Sequence, residues 1–248
     1  MGQNMKAIIL AGGKGERLSP FTKDCPKGMV KIEGKPILEY QIEWLKQYGV
    51  REVVFACGYF NQVIKDYFKD GDNFSIKVKY SVEEEPLGRG GAIKKAWDMI
   101  LSSEPIVVMN GDIFTEMDLN KTLMAHNEMK EKRRIVATIC TFPYKSPYGI
   151  VRISDNGLVE SFDEKRTLPF WVNGGIYIFE HLVKEHLPEK GDHETTTFPE
   201  LATKGMLYAY RCIDYWKGID TVKDLNEFSS EKQHYSLIRK AIGTLNPN

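Results

Sequence analysis

The chain has 248 residues with 34 basic and 34 acidic side chains, and 42% of its residues are hydrophobic. The balanced charge argues against a protein held to nucleic acid or to a membrane by its overall field, and the apolar runs are too short to span a membrane. The four scattered cysteines form neither a zinc-site pair nor a disulfide framework, and no apolar signal segment opens the chain, so we expect a cytoplasmic protein.

Strands and helices alternate in the first half of the chain. Short apolar runs predict strands at 7–10, 52–56, 76–80 and 105–109. Apolar residues at helical spacing predict helices at 36–48 and 61–68, and a third at 93–100 after a glycine-rich turn at 85–92. This order indicates a mainly parallel sheet with helices on both faces, in which ligands bind beyond the carboxyl ends of the strands.

The second half of the chain is richer in strands. We expect strands at 135–142, 148–153, 158–162, 171–179 and 207–212, and helices at 197–204 and from 221 onward. No linker rich in Pro, Gly or Ser separates the halves, and no hexapeptide repeat is visible. We therefore expect one domain over 1–248, without a β-helix domain. Its halves at 5–134 and 135–228 would share one sheet and one cleft, followed by a C-terminal helical segment at 221–248.

A glycine-rich loop, Gly12-Gly13-Lys14-Gly15-Glu16-Arg17, directly follows the first strand. Glycines let backbone N–H groups surround an anion closely, and Arg17 can fork onto phosphate oxygens. A tight turn with solvated cations is the alternative. Asp112 follows a later strand, so it falls at the same edge of the sheet, where a carboxylate can bind Mg²⁺. Its alternative interpretation is an aspartate that only stabilises a turn after Gly111.

Several other polar positions have two interpretations each. Lys27 is either a phosphate clamp facing the glycine loop or a surface lysine. Asp220 is either a second metal carboxylate or the N-cap of the helix that follows it. Glu164 and Lys165 either hold a sugar hydroxyl and its phosphate or form an exposed ion pair of little energetic value. Asn173 either contacts a ligand or belongs to a bulge at Asn173-Gly174-Gly175.

Five motifs occur in a fixed order along the chain: Gly12-Gly13-x-Gly15-x-Arg17-Leu18, Pro26-Lys27, Glu85-Pro86-Leu87-Gly88-x-Gly90-Gly91-Ala92, Gly111-Asp112 and Asn173-Gly174-Gly175-Ile176-Tyr177. In this order they resemble the sugar-1-phosphate nucleotidylyltransferase family, over nearly the whole chain. The block at 80–96 looks closest to the mannose-type and heptose-type guanylyltransferases.

The resemblance implies a fold and an activity. The fold would be α/β, a Rossmann-like, mainly parallel mixed sheet flanked by helices, with a sugar-binding subdomain, as in GT-A-like nucleotidyltransferases. The enzyme would use Mg²⁺ to transfer a nucleotidyl group from a nucleoside triphosphate to a sugar 1-phosphate. GTP with mannose 1-phosphate or a related heptose would be the first choice of substrates. A homo-oligomer is possible in this family, and neither nucleic acid nor membrane is an expected partner.

The resemblance also implies which residues form the site. The first half of the chain would bind the nucleotide, through Leu10, Ala11, Gly12, Gly13, Gly15, Glu85 and Gly88. The catalytic residues would be Arg17, Lys27 and Asp112. The second half would bind the sugar phosphate, through Gly149, Glu164, Lys165 and Asn173. Mg²⁺ would lie on Asp112 and Asp220.

Three positions depart from the family pattern. Gly28 stands where proline or alanine often follows the lysine, which would loosen that loop. Arg89 stands where threonine is usual, which would add a cation near the nucleotide. Gly218 occupies the usual position of an aspartate, and the carboxylate comes two residues later at Asp220, on the same face of an extended segment.

Other functions stay open at this point. The base is not determined, so uridylyl, thymidylyl or cytidylyl transfer to glucose 1-phosphate remains an alternative. Cytidylyl transfer to a non-sugar phosphate and a nucleotide-sensing subunit without catalysis are further alternatives. A dinucleotide-binding dehydrogenase is disfavoured, because Leu18 occupies the third glycine position of the Gly-x-Gly-x-x-Gly pattern counted from Gly13.

Overall fold

The computed structural model describes residues 5–102 and 104–231, so the part of the expected C-terminal segment after 231 lies outside it. Its strands are β1 (Met5–Leu10), β2 (Lys31–Ile32), β3 (Lys35–Pro36), β4 (Val50–Cys57), β5 (Lys77–Val82), β6 (Ile106–Asn110), β7 (Ile113–Thr115), β8 (Ala137–Lys145), β9 (Ile150–Ile153), β10 (Val159–Asp163), β11 (Thr167–Phe179), β12 (Leu207–Arg211) and β13 (Trp216–Gly218). Its helices are α1 (Ile37–Gln47), α2 (Asn61–Phe68), α3 (Gly88–Trp97), α4 (Leu119–Arg133), α5 (Val183–His186), α6 (Thr197–Thr203) and α7 (Val222–Glu231). Among these helices, none combines the length and the apolar character that crossing a bilayer requires.

The centre of the protein is a seven-stranded sheet in the order β12-β8-β11-β6-β1-β4-β5. β1 pairs in parallel with both β4 and β6, and β5 pairs in parallel with β4. β11 runs antiparallel to both of its neighbours, β6 and β8. Strands from both halves of the chain therefore form one sheet, and the predicted mixed, mainly parallel architecture is confirmed.

Two apolar layers cover the sheet, one on each face, because the central strands alternate their side chains between the faces. On β1, Ile9 points into one layer and Ile8 into the other, and both are fully buried. Complete burial of one such side chain contributes about 1.5–3 kcal/mol. The continuous apolar runs read from the sequence reflect this two-sided burial.

A third, smaller core lies beside the glycine-rich loop. It joins Leu18 from that loop with Ile37 of α1, Phe114 of β7, and Ile219 and Phe228 near the end of the described chain. All except Phe114 are completely buried. This core fixes the loop and the C-terminal part of the described chain against each other.

Six elements were not predicted, namely β2, β3, β7, β13, α4 and α5, and α3 begins earlier than expected. α4 shows little helical patterning, because Thr122 and His126 are among its few buried residues. Its start is marked by Asp118, whose side chain accepts the Asn120 N–H at 3.0 Å. β7 is only three residues long. The glycines expected in a turn before α3 instead form its first turn, from Gly88.

Candidate active site

A cleft of about 560 Å³ opens where β1, β4 and β6 end. Leu10 and Asn110, the last residues of β1 and β6, lie in its wall together with Ala56 of β4. The predicted site residues that line it are Leu10, Ala11, Gly12, Gly13, Gly15, Arg17, Lys27, Gly88, Asp112 and Asp220. The glycine loop and Asp112 thus share one cavity at the edge of the sheet where the topology predicts a ligand site.

Four charged side chains meet in this cleft. The Nζ atom of Lys27 contacts the carboxylate of Asp112 and lies 2.6 Å from Oδ1 of Asp220. A guanidinium nitrogen of Arg17 lies 2.8 Å from that same Asp220 oxygen. The Lys27 side chain is 15% exposed, whereas that of Arg17 is 71% exposed. The surface-lysine interpretation of Lys27 is therefore wrong, and Arg17 extends into the open part of the cleft.

Asp220 does not act as the N-cap of α7. The carboxylate of Asp224 accepts the N–H groups of Asp220 and Thr221 at 3.1 and 2.8 Å, which leaves the Asp220 side chain to face Lys27. The helix-cap interpretation of Asp220 is therefore excluded by its hydrogen bonds.

A two-stranded antiparallel sheet brings Asp220 to Asp112. β13 pairs with β7, with Gly218 opposite Ile113, and the N–H of Ile219 donates to the carbonyl of Asp112 at 3.0 Å. Ile219 is buried in the third core, so the residue that follows it is held in place. The carboxylate two positions beyond the usual one consequently still reaches the site.

Gly28 tightens the loop that carries Lys27, contrary to expectation. A Cβ atom on Gly28 would lie 2.7 Å from Cγ of Leu38 and 2.8 Å from the carbonyl oxygen of Gly111. Neither contact is sterically possible without movement. The absent side chain lets this loop pack directly on the segment before Asp112, which places Lys27 against that carboxylate.

Gly15 serves the same loop through its backbone conformation. Its φ of 66° is left-handed, and an added Cβ would lie 3.0 Å from Cβ of Lys27. The turn at Gly15 therefore lets the glycine loop approach Lys27 and directs Arg17 toward the same cleft.

The family resemblance predicts Glu85 as a nucleotide-binding residue, but the structure has Glu83 in the cleft wall instead. Glu85 is exposed and is not among the residues that line the cleft. Oε2 of Glu83 accepts the N–H of Leu87 at 2.6 Å, and its Oε1 lies 3.4 Å from where a Cβ of Gly12 would be. The missed signal is the strand end: β5 runs to Val82, two residues beyond the predicted end, so Glu83 directly follows it.

Arg89 lines the cleft but does not add a free cation to it. Its guanidinium binds the carboxylates of Asp192 and Glu194, at 2.6 Å and 2.7 Å. The hydrogen bonds with Asp192 raise the pKa of Arg89 and lower that of the carboxyl. The expected extra charge for the nucleotide is therefore already neutralised.

The predicted sugar-phosphate residues lie outside the cleft wall. Gly149 and Glu164 are neighbours at the base of the β9–β10 hairpin, since a Cβ on Gly149 would lie 3.0 Å from Oε2 of Glu164. The ion pair of Lys165 is with Glu227 of α7, at 3.9 Å, rather than with Glu164. This trio therefore sits on a separate hairpin.

Asn173 lies closer to the cleft, in the middle of β11. The pairing register of β11 with β8 shifts between Asn173 and Tyr177, as expected for a bulge. A Cβ on Gly175 would lie 2.5 Å from Nδ2 of Asn110, whose residue lines the cleft. The bulge therefore brings the Asn173 segment against the edge of the cleft.

Asp112 and Asp220 are suited to bind a magnesium ion whose remaining ligands are substrate phosphates. Oδ1 of Asp112 is buried and has no hydrogen-bond partner among the described residues, so it is an acceptor left for a ligand. Within 5–102 and 104–231, no cluster of three or more His, Cys, Asp or Glu side chains could hold a metal. Asp112 and Asp220 would thus be the protein ligands, and Mg²⁺ usually binds one or two carboxylates together with substrate phosphates.

Known proteins resemble this chain in sequence over most of its length. The model of the nucleotidyl transferase family matches residues 6–234. The D-glycero-alpha-D-manno-heptose 1-phosphate guanylyltransferase of Campylobacter jejuni is 39% identical over 229 residues, which cover 90% of this chain and 98% of that protein. Mannose-1-phosphate guanylyltransferase 1 of Arabidopsis thaliana is 37% identical over 89% of this chain. This chain spans only 62% of that plant protein.

A solved structure shows the same architecture. HddC of Yersinia pseudotuberculosis superposes with a TM-score of 0.73 at 30% identity, and the match covers 92% of this chain and 99% of HddC. That protein has also been crystallised with GMP-PN. This chain therefore belongs to the nucleotidyl transferase family, and the resemblance to sugar-1-phosphate nucleotidylyltransferases that its motifs carry is confirmed.

Proposed function

We propose that this protein transfers a guanylyl group from GTP to a mannose-configured sugar 1-phosphate, hexose or heptose, and releases pyrophosphate. The observation that carries the proposal is the contact of Lys27 with both Asp112 and Asp220 in the glycine-loop cleft. An oxygen of the sugar phosphate would attack the α-phosphorus in line. A new phosphorus–oxygen bond forms as the bond to the β-phosphate oxygen breaks.

The reaction joins two anions, so positioning and charge neutralisation supply most of the catalysis. The glycine loop would bind the triphosphate, and Arg17, which extends into the open cleft, would fork onto its oxygens. Lys27 would lie between the α-phosphate and the sugar phosphate and neutralise charge as it develops. A nucleophilic side chain is not required by this chemistry.

Asp112 and Asp220 would hold Mg²⁺. The ion would supply Lewis-acid stabilisation of the phosphate oxygens. The unpartnered buried oxygen of Asp112 supports its assignment as a ligand. Asp220 would serve as the second ligand although it stands two residues from the usual position.

Glu83 supports guanine as the base. A carboxylate accepts hydrogen bonds only, and guanine presents two adjacent donors, N1–H and the N2 amino group. Uracil and thymine present one N–H between two carbonyl oxygens, which would face the carboxylate with like charge. The position of Glu83 beside the glycine loop places such an acceptor in the cleft wall.

The comparisons support a mannose-configured acceptor. The heptose 1-phosphate enzyme is matched over 98% of its length, whereas the plant mannose 1-phosphate enzyme is matched over 62%. We therefore favour the heptose 1-phosphate as the first acceptor to test and mannose 1-phosphate as the second.

The residues Gly149, Glu164, Lys165 and Asn173 remain our proposal for sugar-phosphate binding. A cytoplasmic location stays part of the proposal, because Cys57 and Cys140 are buried free thiols.

A pyrophosphate-release screen tests the proposal. GTP, UTP, dTTP and CTP would each be combined with heptose, mannose, glucose and N-acetylglucosamine 1-phosphates and with phosphocholine. We expect release with GTP and a mannose-configured acceptor, and only with Mg²⁺ present. Preference for another base or acceptor would replace this assignment, and the absence of any turnover would favour a nucleotide-sensing role.

A further inference from the structure

Arg89 lies in the wall of the nucleotide cleft, yet its guanidinium is engaged by acidic side chains from a distant segment. Its Nε and one terminal nitrogen lie 2.6 and 2.9 Å from the two carboxylate oxygens of Asp192, a bidentate pair. The same terminal nitrogen lies 2.7 Å from Oε2 of Glu194. Two carboxylates share one guanidinium, so this arginine has no charge to spare for phosphate.

The second oxygen of Glu194 leads to the predicted sugar-phosphate residue. Oε1 of Glu194 accepts a hydrogen bond from Nδ2 of Asn173 at 2.9 Å and from the hydroxyl of Tyr177 at 3.1 Å. Oδ1 of Asn173 accepts the N–H of Gly175 at 3.0 Å. Nδ2 of Asn173 also donates to the hydroxyl of Tyr177 at 3.0 Å. Both ends of the Asn173 amide are therefore engaged, and Glu194 bonds both to Nδ2 and to the Tyr177 hydroxyl that receives it.

No neighbouring cation can replace Arg89 in this network. Among the described residues, only Arg89 lies within ion-pair distance of Asp192 or Glu194. His193, between the two acids in the chain, is fully buried, and burial lowers its pKa to about 4, so it is neutral near pH 7. Without Arg89 the two carboxylates would repel each other, and Glu194 would gain by turning toward water.

The backbone holds the acidic segment in place independently of the Arg89 side chain. The N–H of Gly90 donates to the carbonyl of Gly191 at 2.8 Å, and the N–H of Gly191 donates to the carbonyl of Leu87 at 2.7 Å. These bonds join the start of α3 to the segment before Asp192. Removal of the Arg89 side chain is therefore expected to release Glu194 without detaching the segment.

We propose that Arg89 is a positioning residue of the sugar-phosphate site: it holds Glu194, and Glu194 holds Asn173. The inference rests on the proposed function, in which Asn173 contacts the sugar 1-phosphate. It predicts that loss of Arg89 weakens use of the sugar phosphate and spares use of GTP. A direct phosphate ligand at this position would show the opposite pattern.

Steady-state kinetics of Arg89→Ala test this assignment. We expect the KM for the sugar 1-phosphate to rise about tenfold, the effect of one lost charge-assisted hydrogen bond, and the KM for GTP to stay within about twofold. Lys94→Ala is the matched control. Lys94 pairs from the same helix with Glu189 of the same segment, at 2.7 Å. Among the described residues, the side-chain hydrogen bonds of Asn173 involve neither Lys94 nor Glu189. A rise in the KM for GTP as large as that for the sugar phosphate would overturn the role of Arg89.

A double-mutant cycle with Glu194→Gln separates indirect from direct action. If Arg89 acts through Glu194, the KM for the sugar 1-phosphate in the double variant should be within about twofold of that in the more severe single variant. Fold-changes that multiply would show that Arg89 acts independently of Glu194.

A crystal structure of substrate-free Arg89→Ala tests the contact without relying on activity. We expect that Nδ2 of Asn173 no longer donates to Glu194, while the hydrogen bond between Gly90 and Gly191 persists. An unmoved Asn173–Glu194 contact would overturn the inference. Failure of the wild-type protein to use any sugar 1-phosphate would instead count against the proposed function alone.

Discussion

The Nζ atom of Lys27 lies 2.6 Å from Oδ1 of Asp220, although 193 positions separate the two residues in the chain. Lys27 also contacts Asp112, and Arg17 also contacts Asp220. The cluster therefore contains two cations and two anions and is neutral without substrate. Removal of one member of such a partly buried set leaves an opposite charge uncompensated. The folding of each variant must therefore be measured together with its activity.

Lys27→Ala is expected to lower kcat for pyrophosphate release by about 10²–10³-fold, because the developing charge on the phosphates loses its ammonium partner. Lys27→Met, which keeps most of the side-chain volume, should be equally slow. Lys23→Ala, an exposed lysine four residues upstream, is the control and should retain activity. Turnover near the wild-type rate in both Lys27 variants, with a native circular dichroism spectrum, would remove Lys27 from the mechanism.

Asp112→Asn is expected to change the response to magnesium. Replacement of a carboxylate ligand by an amide removes one negative charge, so half-maximal activity should require at least about tenfold more Mg²⁺. Chelation with EDTA should abolish turnover in the wild type, and added Mg²⁺ should restore it. Asp118→Asn, at the start of α4, is the control for metal dependence. An unchanged Mg²⁺ titration in Asp112→Asn would show that this carboxylate is not a ligand.

Glu83→Gln is expected to weaken discrimination between bases. The amide keeps the side-chain shape but turns an N–H group toward the donor edge of guanine, so kcat/KM for GTP should fall about 10–100-fold. The value for UTP should change less. Glu85→Gln is the control, since Glu85 is exposed and its replacement should change kcat/KM for GTP less than Glu83→Gln does. An equal loss for GTP and UTP would mean that Glu83 supports the loop rather than the base.

Gly28→Ala is expected to be costly in both stability and activity. The new Cβ would lie 2.7 Å from Cγ of Leu38 and 2.8 Å from the carbonyl oxygen of Gly111, so the Lys27 loop must shift. Overpacking of this kind lowers the free energy of unfolding, measured in urea, by about 1–3 kcal/mol. Gly13→Ala is the matched control, because no atom of the described residues, apart from its two neighbours in the chain, lies within 4 Å of its Cβ position. Equal free energies of unfolding for the two variants would contradict the close packing at Gly28.

His193 is expected to make the protein sensitive to mild acid. Burial, followed by the charge of Arg89, lowers its pKa to about 4, whereas an unfolded chain has an ordinary histidine pKa of about 6.5. The unfolded state therefore binds a proton that the folded state does not. The resulting stability is fully present above about pH 6.5 and is lost as the pH falls toward 4, by about 2 kcal/mol between pH 7.5 and pH 5.

His193→Phe tests this linkage. The ring packs edge-on against Tyr177 and Phe198, with centroids 5.2 and 4.9 Å away, so phenylalanine should fit among them. Between pH 7.5 and pH 5, the free energy of unfolding in urea should decrease less in His193→Phe than in the wild type. The two decreases should differ by about 2 kcal/mol. Parallel losses in the two proteins would show that other groups account for the acid sensitivity.

Much of the fold follows from local pattern. The apolar run before the glycine loop determined β1, and helical spacing determined α2 over Asn61–Phe68 without error. These elements were predictable because two-sided burial and amphipathic spacing are properties of consecutive residues. α4 escaped because its buried positions include Thr122 and His126, which carry no apolar signal.

By itself, the sequence determined that the glycine loop follows one buried strand and that Asp112 follows another. Because parallel strands end at the same edge of a sheet, it also placed both at one edge of the sheet. Only the tertiary structure decided that Asp220 pairs with Lys27, that Glu83 rather than Glu85 lines the cleft, and that Arg89 is neutralised by Asp192 and Glu194. The physical reason is that residue spacing reports the backbone period and the conformation of turns. The partners of a charged side chain are instead set by pairing and packing between segments 100 or more positions apart, which no local pattern contains.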